Sequence, residues 1–83
     1  MNMVQIVSAA REQLSILTGL KVDTVSRVDR EGGGWVVDIE MVELQRVPSS
    51  NDVLASYRIN LDAKGSMVSY VRTHRYKRSE VRT

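Results

Sequence analysis

One stretch constrains this chain more than any other: Trp35-Val36-Val37-Asp38-Ile39-Glu40-Met41-Val42-Glu43-Leu44. Strand side chains point alternately to the two faces of a sheet. Trp35, Val37, Ile39 and Met41 therefore share one face; Asp38 and Glu40 share the other with Val36, Val42 and Leu44. The alternation predicts a long strand over about 35–45 with the Trp35 face on a core. The chain has no Phe, so that core must be Val, Ile, Leu and Met around Trp35. A buried Trp removes roughly 150–250 Å² from water, a gross gain of about 4–6 kcal/mol and an upper bound.

The rest of the chain can be placed by what it offers this strand. Residues 2–18 read as a helix, with Met3, Val7, Ala10, Leu14 and Leu17 on one stripe. Gly19 suits a left-handed position after the last turn, and Leu20 the contact that accompanies it. A two-heptad stripe is too short for a coiled coil, so packing on the chain's own sheet is the better reading. A strand over about 20–29 is expected to turn Leu20, Val22, Thr24, Ser26 and Val28 to one face. Gly32-Gly33-Gly34 follows. A phosphate-binding loop would need a Lys-Ser/Thr and a helix next, but Trp35 opens a strand, so the glycines read as a hairpin turn. Residues 46–52 read as a loop. A third strand over 53–61 places Val53, Ala55, Tyr57, Ile59 and Leu61 on one face. Asp62-Ala63-Lys64-Gly65 reads as a tight turn, and a fourth strand covers about 66–75. If a bulge intervenes near Gly65, Met67 joins Leu61 on the inner face; otherwise Val68 and Tyr70 do.

The expected architecture is α+β: an N-terminal helix packed on one face of a four-stranded antiparallel meander. One domain is expected over 1–76, followed by a basic tail over 77–83. Eighty-three residues lie near the lower limit of what folds alone. The face opposite Trp35 does not fit a solvated surface. It carries Val36, Val42, Leu44 and Leu54, and one helix cannot cover two faces. Either part of that face meets a partner or a second copy of the chain, or a bulge turns those residues inward.

Composition removes several chemistries. The chain has no Cys, which excludes disulfides, thiolate metal sites and a cysteine nucleophile. No apolar run approaches the roughly 18 residues of a membrane helix, and no signal-peptide pattern opens the chain. A soluble cytoplasmic protein without cofactor is expected. The single His74 sits among Arg72, Thr73 and Arg75 and reads as an exposed strand-end residue rather than a general base. Asp38 and Glu40 are neighbours on a strand face, but no further ligands close a metal shell, so they read as a solvated pair. Ser49-Ser50 lacks the strand–turn–helix setting of a nucleophile. An enzyme is not expected.

Charge is unevenly placed. Residues 1–71 carry seven Lys/Arg and nine Asp/Glu, whereas residues 72–83 carry five Lys/Arg and one Glu. Arg72, Arg75, Lys77 and Arg78, with Arg82 beyond, are candidates for docking an acidic protein surface. A solvated terminus ranks behind that reading. Nucleic-acid binding ranks third, because only Tyr76 and Tyr70 could stack on bases. Val42, Leu44 and Leu54 are the candidates for an apolar partner contact.

An ordered set of segments then carries a resemblance. It comprises Leu17-Thr18-Gly19-Leu20, Gly34-Trp35-Val36-Val37, Glu40-Met41-Val42-Glu43-Leu44, Val47-Pro48, Asp52-Val53-Leu54-Ala55-Ser56-Tyr57, Leu61-Asp62-Ala63-Lys64-Gly65 and Tyr70-Val71-Arg72-Thr73-His74-Arg75-Tyr76. From Leu17 to about Arg78 the chain resembles the gas vesicle protein O (GvpO) family. Val71 stands where a polar or basic residue is expected in that family. The stretch before the helix leaves little room for a charged N-terminal extension. The resemblance implies a non-enzymatic accessory role in assembling gas vesicles through contacts with other gas vesicle proteins, accessory or shell. A nucleic-acid-binding regulator using the basic tail is the alternative.

Overall fold

The structure, a computed structural model, describes residues 2–80. Helix α1 (Met3–Thr18) is followed by β1 (Lys21–Glu31), β2 (Gly34–Leu44), a 3-10 turn at Ser49–Asn51, β3 (Val53–Leu61) and β4 (Met67–Lys77). The strands form one antiparallel sheet in chain order. This is the expected α+β meander with a helix on one face. Arg82 lies outside the described residues.

The ends of α1 are fixed locally. Asn2 accepts from the Gln5 amide at 2.8 Å and Gln5 Oε1 accepts from the Asn2 amide at 3.0 Å, a reciprocal capping box. Gly19 adopts φ 71° and donates its N–H to Ser15 O. The buried stripe differs from expectation. Ile6, Ala10 and Leu14 are fully buried, while Met3 and Leu17 are 54% and 58% exposed. The helix packs on β1 and β2, so side chains in its first and last turns overhang the area it covers.

Bulges explain where strict alternation fails. In β1, register shifts fall between Val22 and Thr24 and between Val25 and Arg27. Val22, Val25 and Val28 consequently oppose Met41, Ile39 and Val37 and pack on the core. Val25 is therefore an inner residue, whereas Thr24 and Ser26 turn outward, a correction to the expected face. Each extra residue reverses the alternation beyond it. In β4, Met67 opposes Leu61 and Tyr70 opposes Ile59, with the shift between them. Met67 packs on the core while Val68 is 70% exposed.

The core joins Ile6, Ala10 and Leu14 to Trp35, Val37, Ile39, Met41, Ala55, Tyr57, Ile59 and Leu61. Gln13 locks the helix to the β3–β4 turn: its amide group donates to Gly65 O at 2.7 Å and accepts from the Met67 N–H at 2.9 Å. In the β1–β2 turn, Gly32 adopts φ 60°. At Gly34 a Cβ would lie 2.1 Å from Leu61 O, so only glycine permits this approach of β2 to β3.

Candidate partner-binding surfaces

The face opposite α1 is not open. Val36, Val42 and Leu54 are 5%, 7% and 3% exposed although α1 lies on the other side. The bulged sheet curls, and side chains bridge its concave face. Glu40 on β2 is the focus. Its Oε2 accepts from Ser26 Oγ of β1 at 2.9 Å; its Oε1 accepts from Ser56 Oγ of β3 and from Tyr76 Oη of β4 at 2.7 Å. The expectation of a solvated Asp38–Glu40 pair is corrected here. Glu40 is 9% exposed and satisfied by hydroxyls, and Asp38 is held in a bidentate pair by Arg58 at 3.0 and 3.2 Å. That pair pushes the Arg58 guanidinium pKa further up.

A clasp closes one end of the curl. The Arg78 guanidinium donates to Asp23 Oδ1 of β1 at 2.9 Å and to Asp52 Oδ2 at 3.3 Å. Its backbone N–H donates to Asp52 O, and Asp52 Oδ1 accepts from the Arg46 amide. The clasp thus reaches from the end of β4 to β1, past the paired row Lys21, Val42, Leu54 and Tyr76. Of the three apolar candidates, Val42 and Leu54 line this closed end, and Leu44 is 45% exposed. Between the clasp and the hairpin turns lies a polar depression of about 450 Å³, lined by Ser26, Asp38, Glu40, Ser56, Arg58, Thr73 and His74. His74 opposes Ser56 at its rim and is exposed. No group of three or more His, Cys, Asp or Glu that could hold a metal occurs among the described residues.

The basic candidates separate. Arg78 belongs to the clasp. Arg72 and Arg75 lie on the helix-side face of β4, opposite Tyr57 and Ala55, and both reach one carboxylate. Arg72 Nη1 is 3.0 Å from Glu43 Oε2 and Arg75 Nε is 3.0 Å from Glu43 Oε1. Both guanidinium side chains remain about half exposed, and Lys77 beside them is exposed. Burial, and then the charge of Glu43, hold the Tyr57 phenol above its ordinary value. Arg78 is taken up by the clasp, whereas Arg72 and Arg75 share one carboxylate between them.

The structure adds a surface that alternation alone did not locate. Ile16 and Leu17 on α1 face Met67, Val68, Ser69 and Tyr70 on β4 across a groove of about 560 Å³. Ile16 is 74% exposed. Ile16, an apolar residue in the last helical turn off the expected stripe, was the available signal. No helix among the described residues is long and apolar enough to cross a membrane.

Sequence comparison agrees with the resemblance drawn from the segments above. The chain matches the family model described as gas vesicle synthesis protein GvpO over residues 1–82. It is 40% identical over 74 residues to gas vesicle protein O of Streptomyces sp. (strain CB03234), covering 89% of this chain and 58% of that protein. Against gas vesicle protein O of Haloferax mediterranei it is 32% identical over 74 residues, covering 88% and 53%. Against gas vesicle protein O1 of Halobacterium salinarum it is 29% identical over 73 residues, covering 88% and 61%. The chain therefore spans little more than half the length of these relatives. No solved structure matches it. A family match over nearly every residue, including all three segments that form the clasp, leads to one conclusion: the chain belongs to the gas vesicle synthesis protein GvpO family.

Proposed function

We propose that this chain is a non-enzymatic accessory protein of gas vesicle assembly, working in the cytoplasm by docking onto other gas vesicle proteins. The observation that carries the reading is the family match over residues 1–82. The surface supports it. Arg72, Arg75 and Lys77 offer exposed cations along one strand, suited to an acidic protein surface. Leu44 adds an apolar contact beside the closed end of the sheet, with Val42 and Leu54 packed behind it; Arg78 shapes that end by holding it shut.

The test is deletion of the gene in its host, scored for buoyant, light-scattering vesicles. The intact chain is expected to restore them. Arg72→Glu with Arg75→Glu is expected to reduce recovery severely while the purified variant keeps its helix and sheet signal by circular dichroism. Normal vesicles in the deletion strain would end the assembly reading. Full recovery by a folded charge-reversed chain would remove the basic strand from the mechanism.

A further inference from the structure

Strand β4 lies at the edge of the sheet and pairs with β3 alone among the described strands. It is 11 residues long, and among the described strands none lies on its side away from β3. An edge of that length is a template for another strand, and added strands take affinity from main-chain hydrogen bonds and specificity from alternate side chains. Two features define what would fit here. The first half of β4 borders the apolar groove in which Ile16 and Leu17 face Met67, Val68 and Tyr70. The second half presents Arg72, Arg75 and Lys77 on the same, helix-side face, opposite Tyr57, Ala55 and Val53. Glu43 is the carboxylate that pairs with Arg72 and Arg75. Two guanidinium groups share that one carboxylate, and Lys77 lies exposed further along the same strand, which leaves a positive surplus beside a sheet edge.

We propose that β4 accepts an extended acidic segment of a partner protein as a fifth strand. The helix-side side chains of that segment are apolar where they pass Ile16, Leu17 and Tyr70, and carboxylates where they pass Arg72, Arg75 and Lys77. Opposite charges across neighbouring strands stabilise the pairing, and like charges oppose it. The edge therefore selects an acidic strand over one rich in Lys or Arg, including the basic half of a second copy of β4. The proposal deepens the docking reading above and rests on it for the partner being a protein.

The probe is a synthetic peptide alternating threonine with valine in one half and threonine with glutamate in the other, made in both sequence directions. It is titrated into the 15N-labelled full chain. One direction is expected to shift and protect backbone amides across Met67–Lys77, with further shifts at Ile16 and Leu17. Arg72→Glu with Arg75→Glu is expected to weaken binding at least about tenfold, and a peptide with lysine in place of glutamate should bind that variant better than the original chain. Should charge reversal unfold the protein, Arg72→Gln with Arg75→Gln gives the same comparison at neutral charge. Absence of binding in both directions, shifts confined to β1 or the concave face, or equal affinity for the lysine peptide would overturn the proposal. So would a dimer formed through β4 without peptide, seen by sedimentation. A chain defective in peptide binding that still restores vesicles removes the fifth strand and leaves the assembly reading. Peptide binding by a chain whose gene is dispensable for vesicles does the reverse.

Discussion

Glu40 shows how much one side chain can organise in a small sheet. Its carboxylate gathers hydroxyls from β1, β3 and β4 while sitting on β2, so all four strands meet at two oxygen atoms. Buried polar groups are costly only when a partner is missing, and no buried side-chain nitrogen or oxygen lacks one here among the described residues. Glu40→Ala removes the acceptor shared by Ser26, Ser56 and Tyr76. It is expected to destabilise the fold by about 1–3 kcal/mol, read as a lower urea midpoint. Glu31→Ala at the exposed hairpin end should stay within about 0.5 kcal/mol. A comparable loss in both variants would show that the hydroxyl network contributes nothing particular. In the sequence, Glu40 is legible as a carboxylate beside Asp38 on the face away from Trp35. Its hydroxyl partners lie 14, 16 and 36 residues away. A local pattern cannot reveal that they converge, and Ser26 reaches this face only because β1 is bulged.

At the level of elements, existence and order were legible and faces were less so. Trp35, Val37, Ile39 and Met41 alternate as a single uninterrupted strand does, and all four are buried. The alternation of β3 likewise survives intact through Val53, Ala55, Tyr57, Ile59 and Leu61. β1 was harder because its apolar residues recur every third position at Val22, Val25 and Val28. That spacing fits neither a regular strand nor a long helix, and two bulges reconcile it with pairing to β2. For α1 the middle of the stripe was right and the ends were displaced, since an amphipathic pattern does not say how far the sheet extends beneath it. The helix supplies the sharpest check. Leu14→Ala, within the fully buried row, should cost about 2–5 kcal/mol. Leu17→Ala, one turn later and facing the groove, should cost within about 0.5 kcal/mol. Chemical denaturation of the two variants decides between the expected stripe and the observed one; equal losses would mean that Leu17 is a core residue.

The whole molecule is a sheet curled so that each face finds cover by a different device. Helix α1 covers one face. The other is closed by polar bridges, by the bulges that increase local twist, and by the Arg78 clasp. From sequence alone an apolar second face left two readings open, a partner or a bulge that turns those residues inward, because a flat four-stranded sheet would expose them. Curvature is a property of the assembled sheet, and it buries Val42 and Leu54 within one chain. If the clasp sustains that curvature, its loss should be felt at one end only. Arg78→Ala is expected to speed amide hydrogen exchange in Asp52–Leu54 and His74–Lys77, leaving the Trp35 and Leu61 end protected as before. Uniform acceleration across the sheet would instead indicate a general loss of stability, and no change would mean that the curl holds without the clasp.

The clasp also has a direction in time. Sheet neighbours are chain neighbours throughout, so on the ribosome each new strand emerges beside a partner already made. The hairpins can close one after another, and Asp23 and Asp52 are in place early. Arg78, which fastens them, is translated after every strand of the sheet. A nascent chain halted between β3 and that codon carries its helix and its first hairpins but not the cation that ties Asp23 to Asp52, so one end of the concave face stays unfastened until Arg78 has been added.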